Sequence, residues 1–304
     1  MKKNFADFDN CVCLITGAGS ETGIGFCTAK ILGQQGGRVA IASTTDRIYK
    51  RAEELQQLGI DARGYVADLM DRSQVREMVD AVLRDFGTID VLVNNAGMVQ
   101  VGMEEDFSGF LDMTYESWDD AIDRNLNIPF NVTKEVLPTM VQAGYGRIVN
   151  VSSVTGPVVS NPGESSYSAA KAAIVGMSRS LAIEFGEYGI TVNCVLPGWI
   201  GTASQTEAEA AGGLNTPLRR SARGEEVASA IVFLASREAS YITGNPWWWT
   251  AATQFRNTKA LRICIIKPAT YFPGIFVLEP RVFSHWLLAA GSNLRYGAGI
   301  SKAF

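Results

Sequence analysis

The only histidine in the chain is His285, so the first 245 residues can hold neither a Ser-His-Asp triad nor a His-ligated metal site. Proton chemistry there must come from other side chains. Tyr167 and Lys171, in "YSAAK", are four residues apart. In a helix that spacing places both on one face. An ammonium beside a phenol stabilises the phenolate and lowers its pKa, and a phenol tuned in this way can give a proton to a carbonyl or take one from an alcohol. The same pair would also suit a plain solvated helix face, so it needs partners to mean chemistry. A second candidate is "TGAGSETGIG", Thr16–Gly25. Glycines after a strand let backbone approach a pyrophosphate, and a following helix start offers N–H donors and a positive dipole.

The elements that must position these residues alternate regularly. Short β-branched runs at 11–16, 38–42, 62–67, 89–95, 147–153 and 190–196 read as strands. Helices are expected over 24–34, from the second strand's end to Leu58, over 71–87, about 116–142, about 165–186, and in "RGEEVASAIVFLAS". Val75, Met78, Val79, Val82 and Leu83 show helical spacing. Continuously apolar strands between helices predict an α/β fold, a doubly wound parallel sheet covered on both faces, with its ligand at the carboxyl ends of the strands.

In this order the residues resemble the short-chain dehydrogenase/reductase family over roughly residues 10–245. "TGAGSETGIG" is similar to its Gly-rich loop, with two extra residues. "NNAG" (Asn94–Gly97), Asn125 in "RNLNIPF", Ser153 in "NVSS", "YSAAK" and "LPGWIGT" (196–202) match further motifs. The resemblance implies a single Rossmann domain and a catalytic set of Asn125, Ser153, Tyr167 and Lys171. Tyr167 would exchange the proton, Lys171 would hold the nicotinamide ribose, Ser153 would bond the substrate carbonyl, and Asn125 would anchor a water. Ser153 stands 14 residues before Tyr167, one more than the family pattern, a difference that the "PVVSNPGE" loop can absorb, so Ser153 is favoured over its neighbour Ser152. The implied cofactor contacts are Gly17, Ser20, Gly23, Ile24 and Gly25 in the loop, Asp68 and Leu69 after the third strand, Asn95, Ala96 and Gly97, Tyr167 and Lys171, and Pro197, Gly198, Ile200 and Thr202 over the nicotinamide.

NADP is favoured over NAD because the second strand ends in Ser43, followed by Thr44, rather than in an acid, and Arg47 is near enough to pair with a phosphate. Asp46 nominally fits the NAD spacing, which keeps NAD open. The substrate is expected to be a small carbonyl or secondary alcohol, as for a 3-oxoacyl reductase. The stretch from Met98 to Arg124, with Glu104, Glu105 and Asp106, is longer than usual, and the lid at 199–220 is small and polar apart from Trp199. A non-catalytic cofactor sensor would not need the proton-handling set. An extended-branch epimerase would need a substrate domain after Gly198.

A net charge of −4 argues against a nucleic-acid binder. No apolar run is long enough to span a bilayer, and five scattered cysteines suggest reduced thiols in a cytoplasm. Cys11 and Cys13 read as strand filler. A homo-oligomer, dimer or tetramer, is expected.

At Pro246 the chain changes character. Residues 1–245 carry 20 Lys and Arg against 30 Asp and Glu, whereas 246–304 carry seven basic residues and one acid, Glu279. Four of the six tryptophans lie in that tail. The family pattern calls for a strand resembling "LVVDGG" here, and the chain reads "PWWWTAAT". Tryptophan has one codon, TGG. Read from the last base of the Pro246 codon, the next codons are NTG, GTG, GTG and GAC, which permit Leu-Val-Val-Asp. The two alanines then permit Gly-Gly, and Thr253 permits Asn. The tail 246–304 is therefore expected to be a frameshift product. Trp247–Trp249 could still pair as a last strand, but must then face both sides of the sheet.

Overall fold

The strand expected at 11–16 forms as β1 (Val12–Thr16), and all five of its residues are buried. The structure, a computed structural model, describes residues 6–97, 107–203 and 205–252. These belong to one compact unit spanning Met1–Arg256. β2 (Arg38–Ser43), β3 (Ala62–Val66), β4 (Val91–Asn94), β5 (Gly146–Val151), β6 (Ile190–Pro197) and β7 (Pro246–Trp249) complete a sheet in the order β3-β2-β1-β4-β5-β6-β7. Every pairing is parallel. The order reverses between β1 and β4, the switch point beside which a doubly wound sheet binds its ligand.

Alternate strand residues point to opposite faces, and the core divides accordingly. Cys13, Ile15, Val39, Ile41, Val91 and Val93 enter one apolar layer under α1 (Ile24–Gln34), α2 (Arg47–Gln57) and α8 (Gly224–Ala235). Val12, Leu14, Ala40, Ala42 and Leu92 enter the other, under α3 (Arg72–Phe86), α5 (Ile128–Ala143) and α6 (Ser165–Phe185). Strands covered on both faces carry no polar alternation, which is why their sequences read as continuous apolar runs. Cys11 and Cys13 are buried and unpaired, as are Cys27 and Cys194.

Two departures from the sequence expectation bear on the site. The helix expected over 116–142 is interrupted: α4 (Tyr115–Ile122) passes through a π-turn, Asp123–Asn127, before α5 begins. Pro129 has no N–H to offer the Asn125 carbonyl, and the Ile128 N–H reaches back to the Asp123 carbonyl instead. The lid also contains a helix that lacks apolar periodicity, α7 (Glu207–Leu214). It is started by a capping box in which Thr206 and Glu209 satisfy each other's backbone N–H groups.

Candidate active site

The glycine-rich loop leaves β1 at Thr16 and is shaped by β4. Gly17 adopts φ +69°, and a Cβ on it would lie 2.8 Å from Ala96 Cα. A Cβ on Gly25 would meet Asn95 Nδ2 at 2.6 Å. Asn95 Nδ2 donates to the carbonyls of Thr16 (3.1 Å) and Gly17 (3.0 Å), while Thr16 Oγ1 accepts from the N–H groups of Asn95 and Ala96. Asn95 and Ala96 thus hold the loop's shape. Asn94 is buried and braces the sheet through Thr133 and Asn150. After Ser20 the chain turns to Gly23, the N-cap of α1, where no side chain caps the helix. Ile24 and Gly25 begin a helix whose first N–H groups remain available to an anion.

On the adenosine side of the switch point, Ser43 closes β2 with its hydroxyl donating to the Thr45 carbonyl at 3.0 Å. Thr44 is exposed beside it. Arg47, the first residue of α2, is exposed and lies across Gly19, where a Cβ would be 2.5 Å from its Nε. Sequence reasoning overlooked Arg51, one turn further. It is buried, pairs with Glu21 (3.4 Å) and Glu54, and stacks over Phe26. Asp68 Oδ1 accepts from the Met70 N–H at 3.0 Å. Leu69 points into the core and its carbonyl accepts from Asn131, so its contribution to a ligand is limited to backbone.

The residues expected to handle protons converge from three elements. Lys171 on α6 is 4% exposed, with Nζ 3.5 Å from the Val151 carbonyl and 5.5 Å from the centroid of the half-buried Tyr167 ring. A Cβ on Gly97 would sit 3.2 Å from Lys171 Nζ and 3.3 Å from Asn125 Oδ1, so all three residues meet at one point. The π-turn delivers Asn125 there, with its Nδ2 donating to the Ala121 carbonyl. The two serines after β5 differ in what their hydroxyls do. Ser152 is buried and donates to the Lys171 carbonyl at 2.7 Å, which fixes α6. Ser153 is half-buried and only accepts, from the Thr155 N–H at 3.0 Å, leaving its proton to donate elsewhere.

The lid folds over this edge. The Pro197 carbonyl accepts from Val154, Gly198 donates to Trp249, Ile200 bridges Ala222, and Thr202 donates its N–H to Ile200. A cavity of about 270 Å³ separates the lid from β7, lined among others by Trp199, Leu218, Trp248 and Trp249. Glu104, Glu105 and Asp106, Cys264, His285 and the tail from Thr253 onward lie outside the described residues. Among the described residues no His, Cys, Asp and Glu cluster could hold a metal. A nicotinamide dinucleotide fits the arrangement: backbone is bare where a Cβ would collide, the start of α1 is uncapped, and a cation flanks the loop.

The family model described as enoyl-(acyl carrier protein) reductase matches residues 17–248. The oxidoreductase UcpA of Salmonella typhimurium is 41% identical over 243 residues, 76% of this chain and 89% of that one. The 3-oxoacyl-[acyl-carrier-protein] reductase FabG of Thermotoga maritima is 41% identical over 241 residues, 77% of this chain and 93% of that one. A solved structure from Agrobacterium tumefaciens, provisionally named a gluconate dehydrogenase, superposes with a TM-score of 0.75 at 27% identity. That match covers 83% of this chain and 98% of the other.

Proposed function

The chain belongs to the short-chain dehydrogenase/reductase family, and from that premise we propose that it reduces a 3-oxoacyl or related ketone with NADPH, using Asn125, Ser153, Tyr167 and Lys171. That it is an NAD(P)-dependent oxidoreductase acting on CH–OH groups follows from the family. The observation that carries the site assignment is the meeting of Lys171, Asn125 and Gly97 beside Tyr167. A sensor of cofactor binding would need the loop but not this set.

The bound cofactor would supply the hydride; the rest is the work of this chain. Gly17, Ser20, Gly23, Ile24 and Gly25 of the loop, Asn95–Gly97, and Pro197, Gly198, Ile200 and Thr202 of the lid would hold the dinucleotide. Ser153 donates a hydrogen bond to the substrate oxygen and stabilises the negative charge that develops there. Tyr167 gives that oxygen its proton, or takes it in the reverse direction. The buried ammonium of Lys171 favours the phenolate that remains, and Asn125 would anchor a water through which the lysine is reprotonated. For NADPH over NADH the support is Arg47 across Gly19 and the absence of an acid at the end of β2.

No helix among the described residues is long and apolar enough to cross a membrane. The buried, unpaired thiols support a reducing cytoplasm. Exposed Phe130 on α5 and Ile183 on α6 support self-association as a dimer or tetramer.

The test is a cofactor-oxidation screen against ketones and 3-oxoacyl thioesters, run on the native protein and on Tyr167→Phe. Removing one hydroxyl should cost roughly 100-fold or more in kcat, with NADPH binding changed less than about two-fold. A variant keeping more than a few per cent of kcat would defeat the assignment.

A further inference from the structure

The loop between β1 and α1 makes a turn from Ser20 to Gly23, closed by the Gly23 N–H on the Ser20 carbonyl, with Glu21 and Thr22 at its tip. The loop overruns the motif it resembles by two residues between Gly17 and Gly23, and Glu21 and Thr22 each reach a different element. Glu21 pairs with the buried Arg51 of α2. Thr22 Oγ1 accepts from the Ala203 N–H at 3.1 Å. The Thr22 carbonyl fills the space left by Gly224 at the start of α8, where a Cβ would come within 2.6 Å of it. Ala203 directly follows Thr202, the end of the lid segment assigned to the nicotinamide. The far end of the lid is fastened as well: Arg220 grips Glu226 of α8 through both terminal nitrogens, at 2.6 and 2.7 Å.

Among the described residues, and beyond the bonds at its root to Val154 and Trp249, the lid is thus tied to the loop and to α8 at these two points. The Arg220–Glu226 fork is bidentate and charged. The Thr22–Ala203 bond is single, neutral and exposed, so it is the fastening that opens first. We propose that Thr22 is a positioning residue, whose hydroxyl ties the lid to the phosphate loop and so slows cofactor release. One bond joins the segment that would grip the pyrophosphate to the segment that would cover the nicotinamide. Cofactor binding and lid closure then support each other, because each orders what the other must order. The inference rests on the cofactor reading above, but it assigns a role to a residue outside the cofactor and proton-handling sets.

The experiment compares native protein, Thr22→Val and Thr22→Ser by equilibrium titration and stopped-flow release of NADPH and NADH, with steady-state kinetics and thermal melts. Valine keeps the shape of threonine and removes the acceptor, and the site is exposed, so the melting temperature should hold. Loss of one hydrogen bond should weaken cofactor affinity and speed its release by about three- to ten-fold, with kcat at saturating cofactor not lowered. Thr22→Ser should return both to within about two-fold of native. Unchanged release in Thr22→Val, a serine variant as weak as valine, or a fall in kcat at unchanged affinity would each overturn the proposal. Native protein that binds neither dinucleotide would overturn the functional reading with it. Native protein that binds and turns over, with Thr22→Val indistinguishable, would overturn this inference alone.

Discussion

Under the proposed NADPH preference, cofactor choice would turn on Ser43, and its surroundings make this testable without disrupting the fold. Its hydroxyl joins a local turn with Thr45, a role that an aspartate side chain can share by accepting the same N–H. Ser43→Asp should therefore leave the backbone in place while setting a carboxylate near the position of a 2′-phosphate. The ratio of kcat/KM for NADPH to that for NADH should fall by at least about ten-fold, some 1.4 kcal/mol, and Arg47→Ala should move it the same way. Native protein that already prefers NADH in a titration would show the assignment to be wrong. At this scale Tyr167 and Lys171 stand out in the sequence because their types and spacing are tied to chemistry, whereas Asn125 stands out only through the family resemblance. The choice between Ser152 and Ser153 does not stand out in the same way, because adjacent residues differ only in where each hydroxyl points. Arg51 was hidden for a related reason: an arginine in an amphipathic helix reads as a solvated charge until tertiary contacts bury it.

Among the elements, those with a strong period were legible to within a residue or two, and those shaped by local hydrogen bonding were not. α3, expected over 71–87 from its apolar spacing, forms over Arg72–Phe86. The π-turn that delivers Asn125 follows from a missing N–H at Pro129, which pattern reading treats as compatible with one long helix. α7 holds a Gly-Gly pair and little apolar spacing, so only its capping box could have announced it. The link between the lid and α8 yields a pH prediction. Arg220 and the Arg223 N–H hold the Glu226 carboxyl down at about 2, from an ordinary 4.5. A carboxyl with a lowered folded-state pKa adds stability that is fully present above the unfolded value and is lost as pH falls through the folded one. The contribution of Glu226 should thus be complete above about pH 4.5 and disappear towards pH 2. The carboxylate is solvent-screened, so the effect should be small. In melts from pH 6 to pH 2.5, Glu226→Gln should lie below native protein at the upper end, and the two should converge at the lower end. A gap that stays constant with pH would show that the ion pair does not titrate as described.

At the scale of the whole molecule the last strand is the anomaly, and we propose that the tail from Pro246 is a frameshift product. β7 pairs with β6 in register, Val195 with Trp247 and Pro197 with Trp249, so the sheet is completed here. Trp247 and Trp249 pack against the first core layer, with Trp247 stacked on Phe233 at 5.3 Å, whereas Trp248 faces the other way and is 48% exposed. The shifted codons for Leu-Val-Val-Asp-Gly-Gly each take two of their three bases from Trp247 through Ala252 in turn. The two glycines would then fall on Ala251 and Ala252. Those alanines adopt φ +49° and +58°, left-handed backbone that glycine enters freely and alanine does not. Each costs roughly 1–2 kcal/mol as alanine. Restoring glycine at either position should raise the melting temperature by roughly 2–4 °C per kcal/mol recovered, opposite to the usual entropic penalty of introducing glycine. A frame-restored chain should gain further by exchanging the exposed Trp248 for a small β-branched residue, and should associate more readily as a dimer or tetramer. Side-by-side melts and sedimentation of the two chains test this, together with the nucleotide sequence of the gene around codon 246. Codons that cannot encode Leu-Val-Val-Asp-Gly-Gly in the shifted frame, or glycine at 251 and 252 lowering the melting temperature, would defeat the proposal.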